Sequence, residues 1–594
     1  MKLSDFVFKY LEDYGLKTVF MLSGGGIMHL VDSLGKSAVD YVCCHHEQAA
    51  AIAAQAYAMY QNKLGCCLVT TGPGGTNALT GTVAAYMDST PVLFLSGQVK
   101  RSDFASLRGV RQFGAQENNI VDMVKPVTKY ATLLENPDDI LYELDKCIYY
   151  ATQGRQGPVW LDIPLDVQAA NVDEKNLQRF IRPNQVLYPK INISIDYTVD
   201  CLNKAKRPII LLGHGVISSN SQEMIRRFIK KIKIPVMSTW RALEIFNSED
   251  DIFFGSPGLQ APRYSNIIIQ NSDLLIVLGS RLDNMITAFN EEHFAHQAKK
   301  IIVDIDENEI RKLHMSNIYP VVGDINEYLR SLEKKSSAIT TNYSRWIENC
   351  KLLKSKFSIL KERQDKPSGV NLYAVTSEIS KCARSDDAIV ISSTSRCNTA
   401  GHIAFCRKQG QKSVSSMGLG SMGFALPSAV GVGVVNNVKR VIVIEGDGSF
   451  QLNLQELETI VSNSIEAKLF IFSNHGYAAI QTMQDRNFQS FYVGCNESSG
   501  LFFPNTEKIA YAYDIPYLCI NSNEEIVNKV NEAMNMNGSV ICEIFGSPEF
   551  DEIPKCISHV NEKTGKRVSA FLENPYPFIS DEKLNAITKN LLNC

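Results

Sequence analysis

A chain of 594 residues is too long for a single hydrophobic core, and its length predicts about three domains. With 45% apolar and 21% charged residues and a net charge of −3, the composition is that of a globular protein and excludes a polybasic binder of nucleic acid or of an anionic membrane. No stretch of about 20 apolar residues is present to span a bilayer.

The opening "MKLSDFVFKYLEDYG" reads as an amphipathic helix without the basic start and apolar stretch of a signal peptide. "TVFML", "DYVCC", "GCCLVTT" and "PVLFLSG" follow as strands, with helices such as "EQAAAIAAQAYAMYQNK" between them. This alternation is the signature of a doubly wound parallel α/β sheet, and it predicts a first domain over residues 1–172. The Cys43–Cys44 and Cys66–Cys67 pairs fall inside these apolar runs and read as packing residues. No CxxC pair occurs among the 15 cysteines, and a reducing cytoplasm is expected.

A second block, residues 196–333, carries "RPIILLGHGVI", "SDLLIVLGSRLD" and "KKIIVDIDENEI" and reads as a smaller Rossmann-like domain. The charged stretch from Glu333 to about Pro367 reads as a connector. A third α/β block, residues 370–550, contains "AIVIS", "VIVIEG" and "KLFIFS", and residues 551–594 read as a strandless C-terminal arm packed over the rest.

In the third block, Gly446-Asp447-Gly448 directly follows one strand and Asn474-His475-Gly476 follows the next. The 27 residues between Asp447 and Asn474 suit one strand-helix-strand unit, so neighbouring strands would bring the two side chains together. A carboxylate, an amide oxygen and loop carbonyls are the hard ligands Mg²⁺ prefers beside phosphates. Gly448 and Ser449 would open a helix, "FQLNLQELETIV", whose N-terminal amides face those phosphates. Gly-Asp-Gly is also a common turn and Asn a common cap, so these residues alone leave a purely structural reading open.

Three further stretches close that alternative: "HHEQAAAIAAQAYA" (45–58), "VTTGPGGTNALTGTVAAYMDSTPVLFLSGQV" (69–99) and "GLGSMGFALP" (418–427). With the Asp447–Asn474 pair they closely resemble the thiamine-diphosphate-dependent enzymes, in particular the acetohydroxyacid synthase branch, in domain order and over nearly the whole chain. The resemblance implies that Glu47 is the carboxylate beside the cofactor's pyrimidine ring and that Met422 is the wedge that bends the cofactor. It also implies that the Gly420 carbonyl receives the cofactor's amino group, and that Asp447, Asn474 and the Gly476 carbonyl are Mg²⁺ ligands, with Gly446, Gly448 and Ser449 at the diphosphate. Thiamine must lose a proton from its thiazolium carbon to attack a carbonyl, and the protein's part is to promote that loss. The family pairs the first domain of one chain with the third of another, which implies a homodimer or homotetramer with small-molecule substrates.

Several positions depart from the synthase pattern. In "RQFGAQENNIVDMVKP" (111–126), Gln116 aligns with a substrate-side glutamine while Ala115 stands where the synthases carry phenylalanine; either the acceptor pocket is wider or Phe113 fills it. "LSGGGIMHLVDSL" (22–34) carries His29 near the expected centre, either to polarise a carbonyl or move protons, or as a structural histidine. Ser395 and Asn398, in "TSRCN" (394–398), lie where the family meets the diphosphate but are not the usual residues. "GHGVI", "GSPGLQAPR" and "GSRLDNMIT" match the part that holds FAD in acetohydroxyacid synthases and is empty in simple decarboxylases, leaving FAD open. "RVSAFLENPYPFISDEKL" (567–584) resembles a tail of synthase-like proteins associated with bacterial surface polysaccharides. The expected activity is decarboxylation of a 2-keto acid, pyruvate first, with transfer of the two-carbon unit to a second carbonyl compound. A 2-keto-acid decarboxylase, a cyclic-diketone hydrolase and a catalytically silent cofactor-binding subunit are the alternatives.

Overall fold

The computed structural model describes residues 1–184, 188, 191–360, 369–547, 552–560, 567–569 and 571–592. Three parallel sheets follow one another along the chain. The first has β1 (Thr18–Met21), β2 (Asp40–Cys43), β3 (Gly65–Val69), β4 (Val92–Gln98), β5 (Tyr130–Leu133) and β6 (Val159–Pro164) in the order β2-β1-β3-β4-β6-β5. The second has β7 (Pro208–Leu212), β8 (Val236–Ser238), β9 (Leu274–Leu278), β10 (Lys299–Asp304) and β11 (Ile318–Val322) in the order β11-β10-β9-β7-β8. The third has β12 (Ala388–Ile391), β13 (Ser413–Val414), β14 (Val441–Gly446), β15 (Ala467–Ser473), β16 (Tyr517–Ile520) and β17 (Val540–Phe545) in the order β13-β12-β14-β15-β17-β16.

Strands covered by helices on both faces are apolar on both sides. Cys66, Cys67, Leu68 and Val69 accordingly have no exposed surface. The alanine-rich helix Glu47–Gln61 is buried on nearly every face because it lies between two domains: it packs on the helix Ala425–Gly433, whose Gly431 sits against the Ala53 carbonyl. Small side chains let the two backbones approach, and one continuous apolar cluster runs from the first sheet into the third. No helix among the described residues is long and apolar enough to cross a membrane.

The connector and the C-terminal arm hold elements that the sequence reading does not name. The connector contains a helix, Ser344–Lys356, anchored by buried Trp346, whose Nε1–H donates to the Pro208 carbonyl at 3.1 Å; residues 361–368 of that connector lie outside the described ones. The C-terminal arm, expected to be strandless, carries a short antiparallel pair, β18 (Ser558–Val560) and β19 (Arg567–Ser569). Three-residue strands leave no apolar run to read. The arm packs on the central domain, where Cys556, Leu572, Ile587 and Leu591 join its core and buried Arg263 donates to the Pro575 and Pro577 carbonyls. Residues 548–551, 561–566, 570 and 593–594 of this region are outside the described ones.

Candidate active site

β12, β14 and β15 are adjacent and in register, with Ile391 beside Ile444 and Gly446 beside Phe472, so the residues after each strand meet at one edge of the sheet. Open α/β sheets take their ligands at this edge. Asp447, 7% exposed, accepts from the Gly448 N–H at 2.8 Å on Oδ1 and from the Asn474 and His475 N–H groups at 2.9 and 2.8 Å on Oδ2. Burial pushes its carboxyl up to about 6, against the pull of those three N–H groups. Asn474 Oδ1 is buried and has no hydrogen-bond partner. A buried amide oxygen without a donor is costly, and a hard cation held with the Asp447 carboxylate would satisfy it. Gly476 follows in the same turn, bridged to Asn496.

The single helix expected after Gly448 and Ser449 is broken. It runs as Asp447–Phe450, a tight turn Gln451–Asn453, and Glu456–Ser462. The interruption has a tertiary cause: Ser449 Oγ accepts from the Gly423 N–H at 2.8 Å and Asn453 Nδ2 donates to the Gly423 carbonyl at 2.7 Å. The two bonds hold this stretch against another segment at the point where the helix is interrupted. These bonds fasten the 418–427 turn, with Gly420 and half-buried Met422, beside Asp447. Gly420 has φ of +68°, a conformation that favours glycine. Ser421 Oγ in this turn and Asn398 Oδ1 after β12 are buried without partners, while Asn398 Nδ2 donates to the Ser393 carbonyl at 3.3 Å. Ser395 is exposed with φ of +63°.

Glu47 is 6% exposed and accepts on Oε2 from Asn77 Nδ2 at 3.0 Å, within its own domain. Polar contacts between the outer domains run through its neighbours: His45 N–H donates to Glu456 Oε1 at 3.0 Å, and Asp88 Oδ1 accepts from the Met417 and Gly418 N–H groups at 3.2 and 2.9 Å. His29 is half-buried on the helix Met28–Leu34, next to a loop fixed by Gly26 N–H to Thr70 Oγ1 at 3.1 Å and Gln168 Nε2 to the Gly26 carbonyl at 2.8 Å.

Ala115 and Gln116 are exposed, and Gln116 has φ of +66°. Phe113 is 53% exposed and lies under the Arg108 guanidinium, 3.6 Å from the ring centre. The loop is organised by residues absent from the sequence reading. Glu117 accepts from the Ala105, Phe113 and Gly114 N–H groups at 2.6, 2.9 and 3.1 Å, which together hold its carboxyl below the usual range despite partial burial. Gln98 Nε2 donates to the Asn118 carbonyl at 2.8 Å and to Asp162 Oδ2 at 3.0 Å, and Asn118 Nδ2 reaches the Gly72 carbonyl at 3.2 Å. Asp162, 1% exposed, also accepts from Ser96 Oγ at 2.6 Å, and burial pushes its carboxyl up to about 7. The one available signal was a charged residue inside the apolar strand "VWLDIP".

At the strand ends of the central sheet lies a cavity of about 310 Å³ that also touches both outer domains. The turns after β7 and β9 form its floor: a side chain at Gly213 would come within 2.0 Å of the Gly279 carbonyl, so the two backbones touch. Asp304, ending β10 and 8% exposed, stands in the wall with its carboxyl pushed up to about 6 by burial. A glycine-floored groove with a carboxylate at a neighbouring strand end has the donor set that receives a dinucleotide.

Three parallel α/β domains with an oxygen-lined cradle at the strand ends of the third define a class of cofactor enzyme, and family models name it: thiamine pyrophosphate enzyme, with the N-terminal TPP binding domain matching residues 1–122, the central domain 195–332 and the C-terminal TPP binding domain 395–544. The chain belongs to the thiamine pyrophosphate enzymes. Its curated relatives include the acetolactate synthase large subunit of Cyanidium caldarium, 30% identical over 98% of this chain and 96% of that one. The probable acetolactate synthase large subunit of Methanocaldococcus jannaschii is 31% identical over 92% of each, and the acetolactate synthase isozyme 2 large subunit of Escherichia coli is 30% identical over 90% and 93%. Its function is thus thiamine-diphosphate-dependent, carboligating and acetolactate synthase-like.

Proposed function

We propose that the protein decarboxylates a 2-keto acid, pyruvate foremost, and joins the remaining two-carbon unit to a carbonyl acceptor bulkier than a second pyruvate. The observation that carries the cofactor assignment is the buried, unpartnered Asn474 Oδ1 beside the buried Asp447 carboxylate at the ends of two paired strands. Asp447, Asn474 and the Gly476 carbonyl hold Mg²⁺, and Gly446, Gly448, Ser449, Ser395 and Asn398 line the diphosphate. When bound, thiamine diphosphate supplies the carbanion chemistry. The Gly420 carbonyl would accept a hydrogen bond from the cofactor's amino group and Met422 would pack against its rings. Glu47, which accepts from Asn77 Nδ2 at 3.0 Å, would accept a hydrogen bond from a protonated pyrimidine nitrogen and so favour the tautomer that gives up the thiazolium proton.

The thiamine pyrophosphate enzymes pair the first domain of one chain with the third of another, which supports pairing of Glu47 with the cradle of a second copy. The active unit is then a homodimer or larger. Gln116 orients the substrate, His29 stands at the acceptor side, and the small, exposed Ala115, with the exposed Phe113 ring engaged by Arg108, supports the larger acceptor. The glycine-floored cavity of the central domain is the proposed flavin site. Free and mostly buried cysteines suit a reducing cytoplasm.

The test is mass spectrometry of products from ¹³C-labelled pyruvate with thiamine diphosphate, Mg²⁺, FAD and a panel of aldehydes, ketones and keto-sugars. The expected result is a labelled adduct of a bulky acceptor in excess over acetolactate. Free acetaldehyde alone, or acetolactate as the main product with every acceptor, contradicts the proposal.

A further inference from the structure

Where the three domains meet, Asp88 follows the helix Leu79–Met87 of the first domain, and Arg241 follows β8 of the second. Both are buried, with 4% and 13% of their side chains exposed, and their charged atoms are 3.8 Å apart. Between them they grip one short run of the third domain. Arg241 Nη1 donates to the Ser415 carbonyl at 2.9 Å, and Asp88 Oδ1 accepts from the Met417 and Gly418 N–H groups at 3.2 and 2.9 Å. Two residues beyond Gly418 is Gly420 and four beyond is Met422, so this run leads straight into the turn that is to seat the cofactor. Gln55 Nε2, from the buried interdomain helix, holds the second Asp88 oxygen at 3.1 Å, which leaves the carboxylate little freedom to rotate.

The same two residues line the central cavity. Arg241 Nη2 lies 3.1 Å from Nε2 of His214, the residue between the two floor glycines Gly213 and Gly215, and Asp88, His214, Arg241 and Met417 all face the cavity. Burial, and then the adjacent guanidinium, keep the His214 imidazole neutral, so a ring nitrogen is available to accept from Arg241. A group entering the cavity therefore meets the clamp itself, with no intervening layer.

We infer that Arg241 and Asp88 are positioning residues that hold the Ser415–Gly418 run from the other two domains, and that through them an occupant of the central cavity tightens thiamine diphosphate binding. The coupling leg rests on the flavin reading of the cavity; the clamp leg does not. Ordering Arg241 against an occupant on one side orders the Ser415 carbonyl on the other. Linkage requires the reverse as well: thiamine diphosphate then tightens the occupant by the same factor.

The experiment is calorimetric titration of the full-length protein with thiamine diphosphate at saturating Mg²⁺, with and without FAD. Wild type, Arg241→Met, Arg241→Lys and the charge-balanced double variant Asp88→Asn/Arg241→Met are compared, with thermal midpoints recorded for each. FAD is expected to tighten thiamine diphosphate about tenfold in wild type. In Arg241→Met and the double variant both ligands still bind but the ratio falls to one, and Arg241→Lys, which keeps the cation, recovers part of it. A variant that only loosens the fold lowers its thermal midpoint and leaves the ratio untouched. An unchanged ratio in Arg241→Met, or a wild-type ratio of one with both ligands bound, overturns the inference. If wild type binds no FAD, the flavin reading fails by itself and the flavin-free titration decides the clamp: affinity equal in wild type and the double variant overturns it, and a tenfold loss sustains it.

Discussion

Asp447, Asn474 and Gly446 stand at the ends of strands paired in register, whereas Ala115 and Gln116 stand in a loop shaped by the adjacent Glu117 carboxylate and tied to the rest of its domain through Asn118, Gln98 and Gly72. In the first region the sheet supplies the geometry, so a residue's place follows from its position after an apolar run. In the second, Glu117 gathers three backbone N–H groups and the Gln98–Asn118–Gly72 chain pins the base. The proposed cofactor cradle thus takes its geometry from the sheet, and the proposed substrate loop takes its own from side-chain bonds.

The largest expected effect lies at Glu47, the proposed partner of the cradle. Glu47→Gln keeps the side chain's shape and its bond to Asn77 but removes the charge. Proton exchange at the thiazolium carbon of bound cofactor, followed by NMR, should slow by about 10²–10⁴-fold. Exchange at the wild-type rate would remove Glu47 from the chemistry.

Next comes the anchor of the loop. Asp162 has its carboxyl pushed from an ordinary 3.8 to about 7, so the stability it contributes is complete below about pH 4 and is lost as pH rises through 7. Three units correspond to at most ~4 kcal/mol. Asp162→Asn should flatten the fall of the urea midpoint between pH 4 and 7 relative to wild type, and parallel pH profiles for the two proteins would show that the carboxyl does not titrate there.

A smaller effect separates the two regions directly. Ala115→Phe adds a ring to the loop and none to the cradle, and overfilling costs about 1–3 kcal/mol. Ligation to a bulky ketone should fall accordingly while keto-acid decarboxylation stays nearly intact. If both steps fall together, Ala115 does not border the acceptor alone.

How much was legible in the sequence follows the same division. Strands with unbroken apolar runs, such as "VIVIEG" and "KLFIFS", are found where they were read, and the 27-residue spacing does correspond to adjacent strands. The helix after Gly448 was misjudged because Ser449 and Asn453 bond to Gly423, a contact outside their own segment. Edge strands such as β5 and β11, half-exposed and short, gave too weak an alternation to read. Asp162, Asp88 and Arg241 escaped because each acts through partners far away in the sequence, whereas Glu117 escaped because its N–H partners lie close by in an irregular loop that no periodic pattern marks.

If Asp447 and Asn474 hold Mg²⁺ against the diphosphate of thiamine diphosphate, calorimetric titration of the cofactor with and without Mg²⁺ should show metal-dependent binding in wild type and loss of that metal-dependent part in Asp447→Ala. Unchanged affinity together with unchanged Mg²⁺ dependence in Asp447→Ala would contradict it.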